Sequence, residues 1–445
     1  MKKIMISFAL KFKTLFFHEK QQFILLLKNV EGFFLSKTKF NIVLDIIVFT
    51  SFSIVIFSIP TFSSSSVLYL VTWILTIVLL VSMALSLLLF YKVQIDFICI
   101  CIILFVIFAF LSSAFMGFKN FAYTPLLMSF ISLNTYMYAK SNKQSRKILI
   151  YCAEIGVLFF ALVFAVYYRE KLFTLEFERL GGIFGDENDV SLVISFGFAF
   201  SLWSILFSNS YIIKLFHFIF LLVLALFGLS TGSKIFIFNV IFVFVSAVLL
   251  KNGLKKWWLS AIVLTSMVCF IFIIFSLNEF NFYKDRLVEM FNVLSGTNET
   301  YGSTGSRLEM IFMALNMFLK KPLFGYGING YANYGEYNYG WSHNQLAESL
   351  CNFGLIGTVL WHYGFVKSII GFLKKLRTNK VNSYDIASFI IIVLFFTAMI
   401  SIPQITQKFY AYIIGIVMAT ITNETDIVSL KSPIAKNKGV EERIT

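Results

Sequence analysis

Long apolar runs separated by short polar segments fill the chain between residues 40 and 421. The length of each run is close to the roughly 20 residues that a helix needs to cross a bilayer. Because the runs are continuous rather than alternating, they predict helices and not the strands of a membrane barrel. We predict about twelve transmembrane helices, which lie near Phe40–Ile59, Val67–Tyr91, Phe97–Gly117, Phe121–Ala139, Ile148–Tyr168, Val190–Phe207, Tyr211–Leu229, Lys234–Leu250, Trp258–Leu277, Leu346–Leu373, Tyr384–Ile402 and Phe409–Ile421.

The composition agrees with this pattern. Of 445 residues, 58% are hydrophobic and 13% are charged, whereas soluble domains have about 25% charged residues. The 55 phenylalanines and only 5 prolines suit long uninterrupted helices. The fold class is therefore all-α, a polytopic membrane protein, and a soluble globular domain is excluded.

The net charge of +14 would favour a nucleic-acid partner in a soluble protein, but the positive-inside rule explains it here. Basic clusters at 140–147, 251–256 and 374–380 follow the fourth, eighth and tenth spans. If the basic N-terminus is cytoplasmic, all three clusters are cytoplasmic, and an even number of spans returns the tail to the same side. We expect a protein of the cell membrane, plasma or inner, with both termini cytoplasmic and no nucleic-acid partner.

The spans divide the chain into five parts. The longest segment between spans lies on the non-cytoplasmic face, extracellular or periplasmic, and long loops of this kind carry function. The parts are a basic cytoplasmic segment (1–39), nine spans (40–277), the large loop (278–344), three spans (345–422) and a cytoplasmic tail (423–445).

An amphipathic surface helix is predicted inside the large loop. Ser306 and Glu309 have the spacing of a capping box, and Lys320-Lys321-Pro322 ends the pattern. The helix would place an apolar stripe on the membrane surface, formed by Leu308, Ile311, Phe312, Leu315 and Phe318.

His343 stands where the large loop re-enters the membrane, just before the span that begins near Leu346. The positive end of a helix dipole favours a neutral imidazole and attracts an anion, so His343 is a candidate base beside a phosphate-bearing substrate. A histidine that caps a helix in an aqueous loop is the alternative. Packing explains His18, His217 and His362 more simply than catalysis does.

Intramembrane acids are the other costly groups. Asp45 and Glu154 lie within apolar spans, where a carboxylate either has a function or pairs with a neighbouring helix. The 5 cysteines lie in apolar spans without a CxxC pair, and the acids around Arg179 match no calcium-binding loop. We therefore expect no metal and no other cofactor.

Two segments near His343 carry a family resemblance. His343-Asn344, nine residues and then Gly354-Leu355-Ile356-Gly357 form H-N-x9-G-x-x-G, which resembles the signature of the O-antigen ligase and repeat-unit polymerase superfamily. Upstream, Ser306-Arg307-Leu308 followed by Lys321-Pro-Leu-Phe-Gly-Tyr-Gly327 resembles that superfamily's R…P-L-F-G-x-G segment.

Two weaker matches lie earlier in the chain. The segment Arg179-Leu-Gly-Gly-Ile-Phe-Gly-Asp-Glu-Asn188 is similar to the R-x-x-G-x-F-x-x-P-N loop, with Glu187 in place of proline. Ser230-Thr-Gly-Ser-Lys234 is similar to T-x-S-R at a helix start, with lysine in place of arginine. A lysine is a point charge and does not supply the bidentate grip of an arginine at this position.

The resemblance implies a GT-C-like helical fold and saccharide transfer from an undecaprenyl diphosphate carrier, without a metal or a nucleotide sugar. It also implies that arginines hold the diphosphate while the histidine helps an acceptor hydroxyl attack. The candidate catalytic residues are His343 and Arg307, and the candidate substrate-binding residues are Arg179, Lys234, Asn344 and Tyr326.

The other charged and aromatic candidates, like His343, keep a simpler interpretation. Arg307 is also explained as a solvated loop residue, Lys234 by snorkelling and Arg179 by an ion pair with nearby acids. Tyr326 and the other aromatic residues after it suit sugar stacking, interfacial anchoring or loop packing equally.

A glycan polymerase is the leading hypothesis: lipid-linked glycan would be moved onto a newly exported lipid-linked repeat unit. The alternatives are a ligase that moves finished glycan to a lipid, wall or protein acceptor and, further behind, a lipid-linked saccharide flippase. A transporter should show repeated halves and midplane charges, whereas this chain concentrates its polar residues in outer loops. The expected partners are the lipid-linked oligosaccharide, membrane lipid, and a flippase and chain-length regulator of the same pathway.

Overall fold

Helices form all the regular structure of the part of the chain that the structure, a computed structural model, describes. That part comprises residues 39–61, 66–91, 93, 95–141, 143–174, 180, 186–252, 303–335, 340–400 and 407–422, with scattered residues between 258 and 295. The helices are α1 (Lys39–Thr61), α2 (Ser66–Phe90), α3 (Phe97–Phe115), α4 (Thr124–Ser141), α5 (Lys143–Tyr167), α6 (Arg169–Thr174), α7 (Glu187–Phe207), α8 (Tyr211–Ser230), α9 (Lys234–Asn252), α10 (Ser303–Lys320), α11 (Gly330–Tyr334), α12 (Gln345–Arg377), α13 (Ser383–Met399) and α14 (Lys408–Thr422).

Eight of the described helices are long and apolar enough to cross a membrane, which confirms an all-α polytopic membrane protein. Helices α13 and α14 are apolar but shorter. Helix α4 is more polar because it is held between other helices: Ser132 Oγ donates to the carbonyl of Ala411 (3.0 Å), and Asn134 Nδ2 donates to the carbonyl of Leu80 (3.1 Å). The predicted ninth span, 258–277, lies largely outside the described residues.

The core is aromatic, as the phenylalanine content predicts. Phe196 of α7 makes edge contacts with Phe395 of α13 (5.4 Å between ring centroids) and Phe409 of α14 (4.8 Å), and joins three helices. Helices at the outside of the bundle turn large apolar side chains outward, such as Leu88 and Leu215. Exposed leucines of this kind carry no penalty where the surrounding solvent is lipid.

Helix α12 runs from one end of the bundle to the other, so its first and last residues identify the two ends. It begins beside His343 and ends at Arg377. Near its last turn, Lys375 Nζ lies 2.7 Å from Asp385 Oδ1 at the start of α13. We call the two ends of the bundle the His343 end and the Lys375 end.

The amphipathic helix α10 differs from its prediction in two ways. It begins at Ser303 rather than Ser306, so the predicted capping box is wrong; Glu289 instead accepts a hydrogen bond from the N–H of Thr304 in the first turn (3.3 Å). Phe312 of the predicted stripe is 62% exposed. The side chains that α10 buries against α11 and α12 are Met310, Met313, Ala314 and Met317.

Candidate active site

His343 occupies a left-handed backbone conformation in the turn before α12, with φ of 54°. Such a conformation is uncommon for a residue with a Cβ and persists where the surroundings impose it. The side chain is half-buried, and Trp341 Nε1 donates a hydrogen bond to His343 Nδ1 at 3.3 Å. An indole N–H only donates, so Nδ1 accepts, and in the neutral ring the proton lies on Nε2.

Asn344 is the N-cap of α12. Its backbone is extended, and its side-chain oxygen accepts a hydrogen bond from the N–H of Ala347 at 2.9 Å. This satisfies one of the free N–H groups of the first turn. The structure thus gives Asn344 a structural role at the site, and its substrate contact remains a prediction.

Glu348, which sequence reasoning missed, holds the residue before His343. Its Oε2 accepts hydrogen bonds from the backbone N–H (2.9 Å) and the hydroxyl (3.1 Å) of Ser342. The Ser342 hydroxyl in turn contacts the carbonyl of Asn344 at 3.0 Å. His343 therefore lies between two residues whose positions are fixed from α12. An acid in the first turn of the helix is the signal that could have pointed to this clamp.

The two motif segments that carry the resemblance interlock through their backbones. Helix α12 is kinked at Gly354 (φ 60°, ψ −167°), which frees carbonyl groups of the preceding turn. The N–H of Tyr326 donates to the carbonyl of Cys351 (3.0 Å), and the N–H of Gly327 to that of Asn352 (2.7 Å). In the other direction, the N–H of Leu355 donates to the carbonyl of Pro322 (2.7 Å).

Tyr326 is half-buried in this interlocked segment. Its ring centroid lies 5.6 Å from that of Tyr334 and 4.7 Å from Lys321 Nζ. Burial, followed by the nearby Cys351, raises the pKa of the Tyr326 phenol. The neutral ring therefore has packing contacts of its own, and its stacking on sugar stays a prediction.

Lys234, at the start of α9, contacts the start of α10. Its Nζ donates to Thr304 Oγ1 at 3.1 Å and lies 3.7 Å from Glu289 Oε2. The side chain is 14% exposed, so burial with an acidic partner, rather than snorkelling into water, accommodates this charge.

Arg307 lies on α10 between the turn that contacts Lys234 and the turn that packs against α12. It is half-buried and lies one helical turn beyond Thr304, and Met310 follows one turn later. Met310 and Ala347 belong to one buried cluster between α10 and α12, and Ala347 lies one turn into the helix that His343 precedes. Adjoining helical turns therefore bring Lys234, Arg307 and His343 to the same end of the bundle.

The two weaker motifs also meet. The N–H of Leu180 donates to the carbonyl of Ser230 at 3.1 Å, and Ser233 Oγ donates to Asn188 Oδ1 at 2.8 Å. Arg179 itself lies outside the described residues, although its neighbour Leu180 is held beside the segment that leads to Lys234. Asn188, quoted as part of the motif but not chosen as a candidate, is a buried link between the segments.

Within the described ranges, no group of three or more His, Cys, Asp or Glu side chains could hold a metal ion. The expected absence of a metal remains a prediction.

Comparison with protein families bears on the same residues. Residues 216–362 match the O-antigen ligase family model. The match includes Lys234, Arg307 and His343 and confirms the resemblance to the O-antigen ligase and repeat-unit polymerase superfamily. It indicates a membrane enzyme with polysaccharide polymerase or ligase activity. No curated protein sequence matches the chain.

Proposed function

We propose that this protein is a polysaccharide polymerase that transfers undecaprenyl-diphosphate-linked glycan onto a lipid-linked repeat unit. One observation carries the proposal: contacts through α10 bring Lys234, Arg307 and the turn that bears His343 to one end of a membrane-embedded bundle. A lipid-linked substrate has its reacting diphosphate and sugar at the membrane surface, where helix ends lie. Two cations and an imidazole at such an end suit a diphosphate leaving group.

The reaction joins two sugars and releases the carrier. The acceptor hydroxyl oxygen attacks the anomeric carbon of the donor sugar, and the bond from that carbon to the diphosphate oxygen breaks. The hydroxyl proton leaves with the diphosphate or through solvent, and undecaprenyl diphosphate departs. Negative charge grows on the diphosphate in the transition state, and fixed cations stabilise it without a metal.

His343 acts in this proposal as an orienting donor. With Trp341 donating to Nδ1, the proton of the neutral ring lies on Nε2, which is then the nitrogen that donates to substrate. It would hold the acceptor hydroxyl or a diphosphate oxygen by donating a hydrogen bond. A general base would instead need its lone pair on the nitrogen that Trp341 engages, so the geometry favours orientation over proton removal.

Arg307 and Lys234 would bind the diphosphate, with Arg179 as a third candidate. Lys234 already lies beside Glu289, and a diphosphate carries more charge than one carboxylate, so substrate would compete for the lysine. Arg307 supplies the planar, bidentate group that Lys234 lacks.

The proposal places the His343 end outside the cytoplasm, in the plasma or inner membrane. Of the basic segments predicted to be cytoplasmic, 374–380 lies at the Lys375 end, and Lys147 of the 140–147 segment contacts Tyr384 at the same end. A flippase would deliver the repeat units to the His343 end, and a chain-length regulator would act on the product.

The test uses a strain in which the gene is deleted and wild-type, His343→Ala or Arg307→Ala protein is restored at equal level. Lipid-linked and surface glycans are then separated by length. Single exported repeat units in the deletion strain, with no ladder restored by either variant, support the proposal. The matched control is Arg169→Ala, an arginine that is 71% exposed, which should restore the full ladder.

A ligase is the second candidate, because the matching family model is described as O-antigen ligase. Long polymer that accumulates on the carrier lipid in the deletion strain would establish ligation and reject polymerisation. Normal ladders with His343→Ala would show that the histidine has no part in the reaction.

A further inference from the structure

A cavity of about 540 Å³ lies near the Lys375 end, across the bundle from His343. Its walls come from the third and fourth turns of α5, the last turn of α7, the first two turns of α8 and the start of α13. Ser383 and Tyr384, which begin α13, border it. Because α12 separates this end from His343, the cavity is no part of the proposed glycan site.

The cavity is bordered by a buried carboxylate. Glu154 of α5 lies 3.4 Å from His217 Nε2 of α8 and 3.4 Å from Ser204 Oγ of α7. Both contacts are made by Oε1, and both are longer than the about 2.7–3.2 Å of a good hydrogen bond. Within the part of the chain that the structure describes, no hydrogen bond engages Oε2. A carboxylate in this position has capacity for a stronger donor.

Aromatic rings stand beside that carboxylate. Trp203 lies with its ring centroid 5.4 Å from Tyr384 and 6.1 Å from Tyr151, and the two tyrosine hydroxyls lie 3.4 Å apart. All three rings line the cavity. Several aromatic faces around one carboxylate form the arrangement that recognises an ammonium group, by cation–π attraction and charge-assisted hydrogen bonds.

The rim of the cavity is apolar and exposed. Ile212 is 51% exposed, Phe216 is 53% exposed and Tyr151 is 41% exposed. Exposed apolar side chains on helices that cross a membrane face lipid, so the cavity opens toward acyl chains rather than water. A lysine lies close by, since Lys147 Nζ is 5.0 Å from the centre of the Tyr384 ring, and a lysine suits a phosphate.

We propose that this cavity binds the ammonium headgroup of a membrane phospholipid, with Glu154 as the anionic partner, the rings of Trp203, Tyr151 and Tyr384 around the ammonium, and Lys147 near the phosphate. The ammonium supplies the N–H donors that the carboxylate accepts. The acyl chains leave between Ile212 and Phe216. The site is independent of the proposed glycan transfer.

The experiment reconstitutes the full chain with equal amounts of phosphatidylethanolamine and phosphatidylglycerol and measures by native mass spectrometry which lipid stays bound. Wild type should retain the ammonium lipid preferentially, and Glu154→Gln, which keeps the shape and removes the charge, should lower that preference about tenfold. The matched control Glu170→Gln changes an 87% exposed acid elsewhere and should keep the preference.

Tyr151→Leu provides a second variant at the exposed rim, where folding is at little risk, and should lower the preference by a smaller factor. Equal retention of the two lipids by wild type, or an unchanged preference in Glu154→Gln, would overturn the proposal. Soluble ethanolamine is added in a third arm. Binding of ethanolamine by a protein that retains no phospholipid would assign the cavity to a free amine and reject the lipid.

Discussion

The backbones of Gly325 and Gly354 are in close contact: a Cβ atom on Gly325 would lie 2.6 Å from the backbone nitrogen of Gly354. Gly325 precedes the loop that leads to His343, and Gly354 kinks the helix that follows it. Their contact explains physically why glycine stands in both motif segments. This approach of two backbones anchors the segment that precedes α11 to α12.

Replacing Gly354 by alanine should therefore disrupt the site. The Cβ would lie 2.4 Å from the carbonyl of Leu323, and the backbone angles belong to a region that only glycine adopts readily, at a cost of about 1–3 kcal/mol. We expect a lower apparent melting temperature in detergent and loss of polymer. Gly371→Ala is the control in the same helix, since its Cβ would meet Ile421 at an ordinary 3.5 Å. Equal behaviour of the two variants would contradict the interlock.

Substitutions at His343 separate the orienting role from a basic one. The amide of glutamine places a donor near the position of Nε2 but is not a base. We expect His343→Gln to retain at least about a tenth of the wild-type turnover while His343→Ala falls by about 10²-fold, the typical loss for one transition-state donor. Turnover is measured on purified protein with lipid-linked repeat units. If both variants are equally inactive, a base is the better assignment.

Glu348 is a positioning residue, and its oxygen rather than its charge should matter. Both hydrogen bonds from Ser342 end on Oε2, so Glu348→Gln keeps an acceptor there, whereas Glu348→Leu removes the acceptor of the Ser342 N–H and leaves the hydroxyl only the carbonyl of Asn344. The leucine variant should lower kcat about tenfold or more with a smaller change in KM, because the misplaced His343 acts mainly in the transition state.

Glu170→Leu, at an exposed acid outside the site, is the matched control. A leucine variant that raises only KM, or a glutamine variant as impaired as the leucine one, would exclude the positioning role.

Activity should require a positive charge at position 234, whereas the shape of the cationic group should matter less. Lys234→Arg keeps the cation and restores the group usual in this motif, so we expect activity at or above wild type. Lys234→Met should lose about 10–100-fold in kcat/KM for the lipid-linked donor, because one cation on the diphosphate is removed. Lys320→Met changes an exposed lysine at the end of α10 and serves as the control. Equal donor kinetics for the methionine variant and wild type would remove Lys234 from the diphosphate site.

The sequence alone predicts most of the helices and the candidate site residues, but not the contacts between them. Hydrophobic runs locate most helices within a few residues, because span length is fixed by the bilayer. Motif spacing selects His343, Arg307 and Lys234, and the structure joins the turns that bear them. The contacts between segments distant in the chain could not be read, such as the partnership of Lys234 with Thr304 and Glu289.

Two other outcomes have the same cause. Helix α10 starts at Ser303 because Glu289, from an earlier segment, caps its first turn, and no local pattern encodes that. The sequence predicts for Glu154 either a functional role or a partner on a neighbouring helix, and it predicts only a packing role for His217. In the structure, His217 of α8 is the partner of Glu154. Pairwise contacts between helices depend on how the bundle assembles rather than on periodicity.

An ion pair between Asp96 and Lys140 stabilises the Lys375 end of the bundle. Asp96 caps α3 and contacts Lys140 and the hydroxyl of Tyr136. Burial raises the pKa of the Asp96 carboxyl, but the hydrogen bonds from Lys140, Tyr136 and the α3 backbone lower it more, so the net pKa lies below its ordinary value. A carboxyl with a depressed pKa stabilises the fold above its unfolded pKa of about 3.9, and the stabilisation is lost as the pH falls through the folded value.

Lys140→Met should therefore lower the free energy of unfolding by about 1–2 kcal/mol at pH 7, since it leaves a half-buried carboxylate without its cation. The loss should shrink below about pH 4, where protonation of Asp96 removes the unpaired charge from the variant and the ion pair from wild type. Thermal unfolding in detergent across this pH range measures both, with Lys320→Met as the control. If Lys140→Met lost the same free energy of unfolding at pH 3 and at pH 7, Lys140 would stabilise the fold by packing. An ion pair with Asp96 requires the charged carboxylate, so its contribution must fall when Asp96 is protonated.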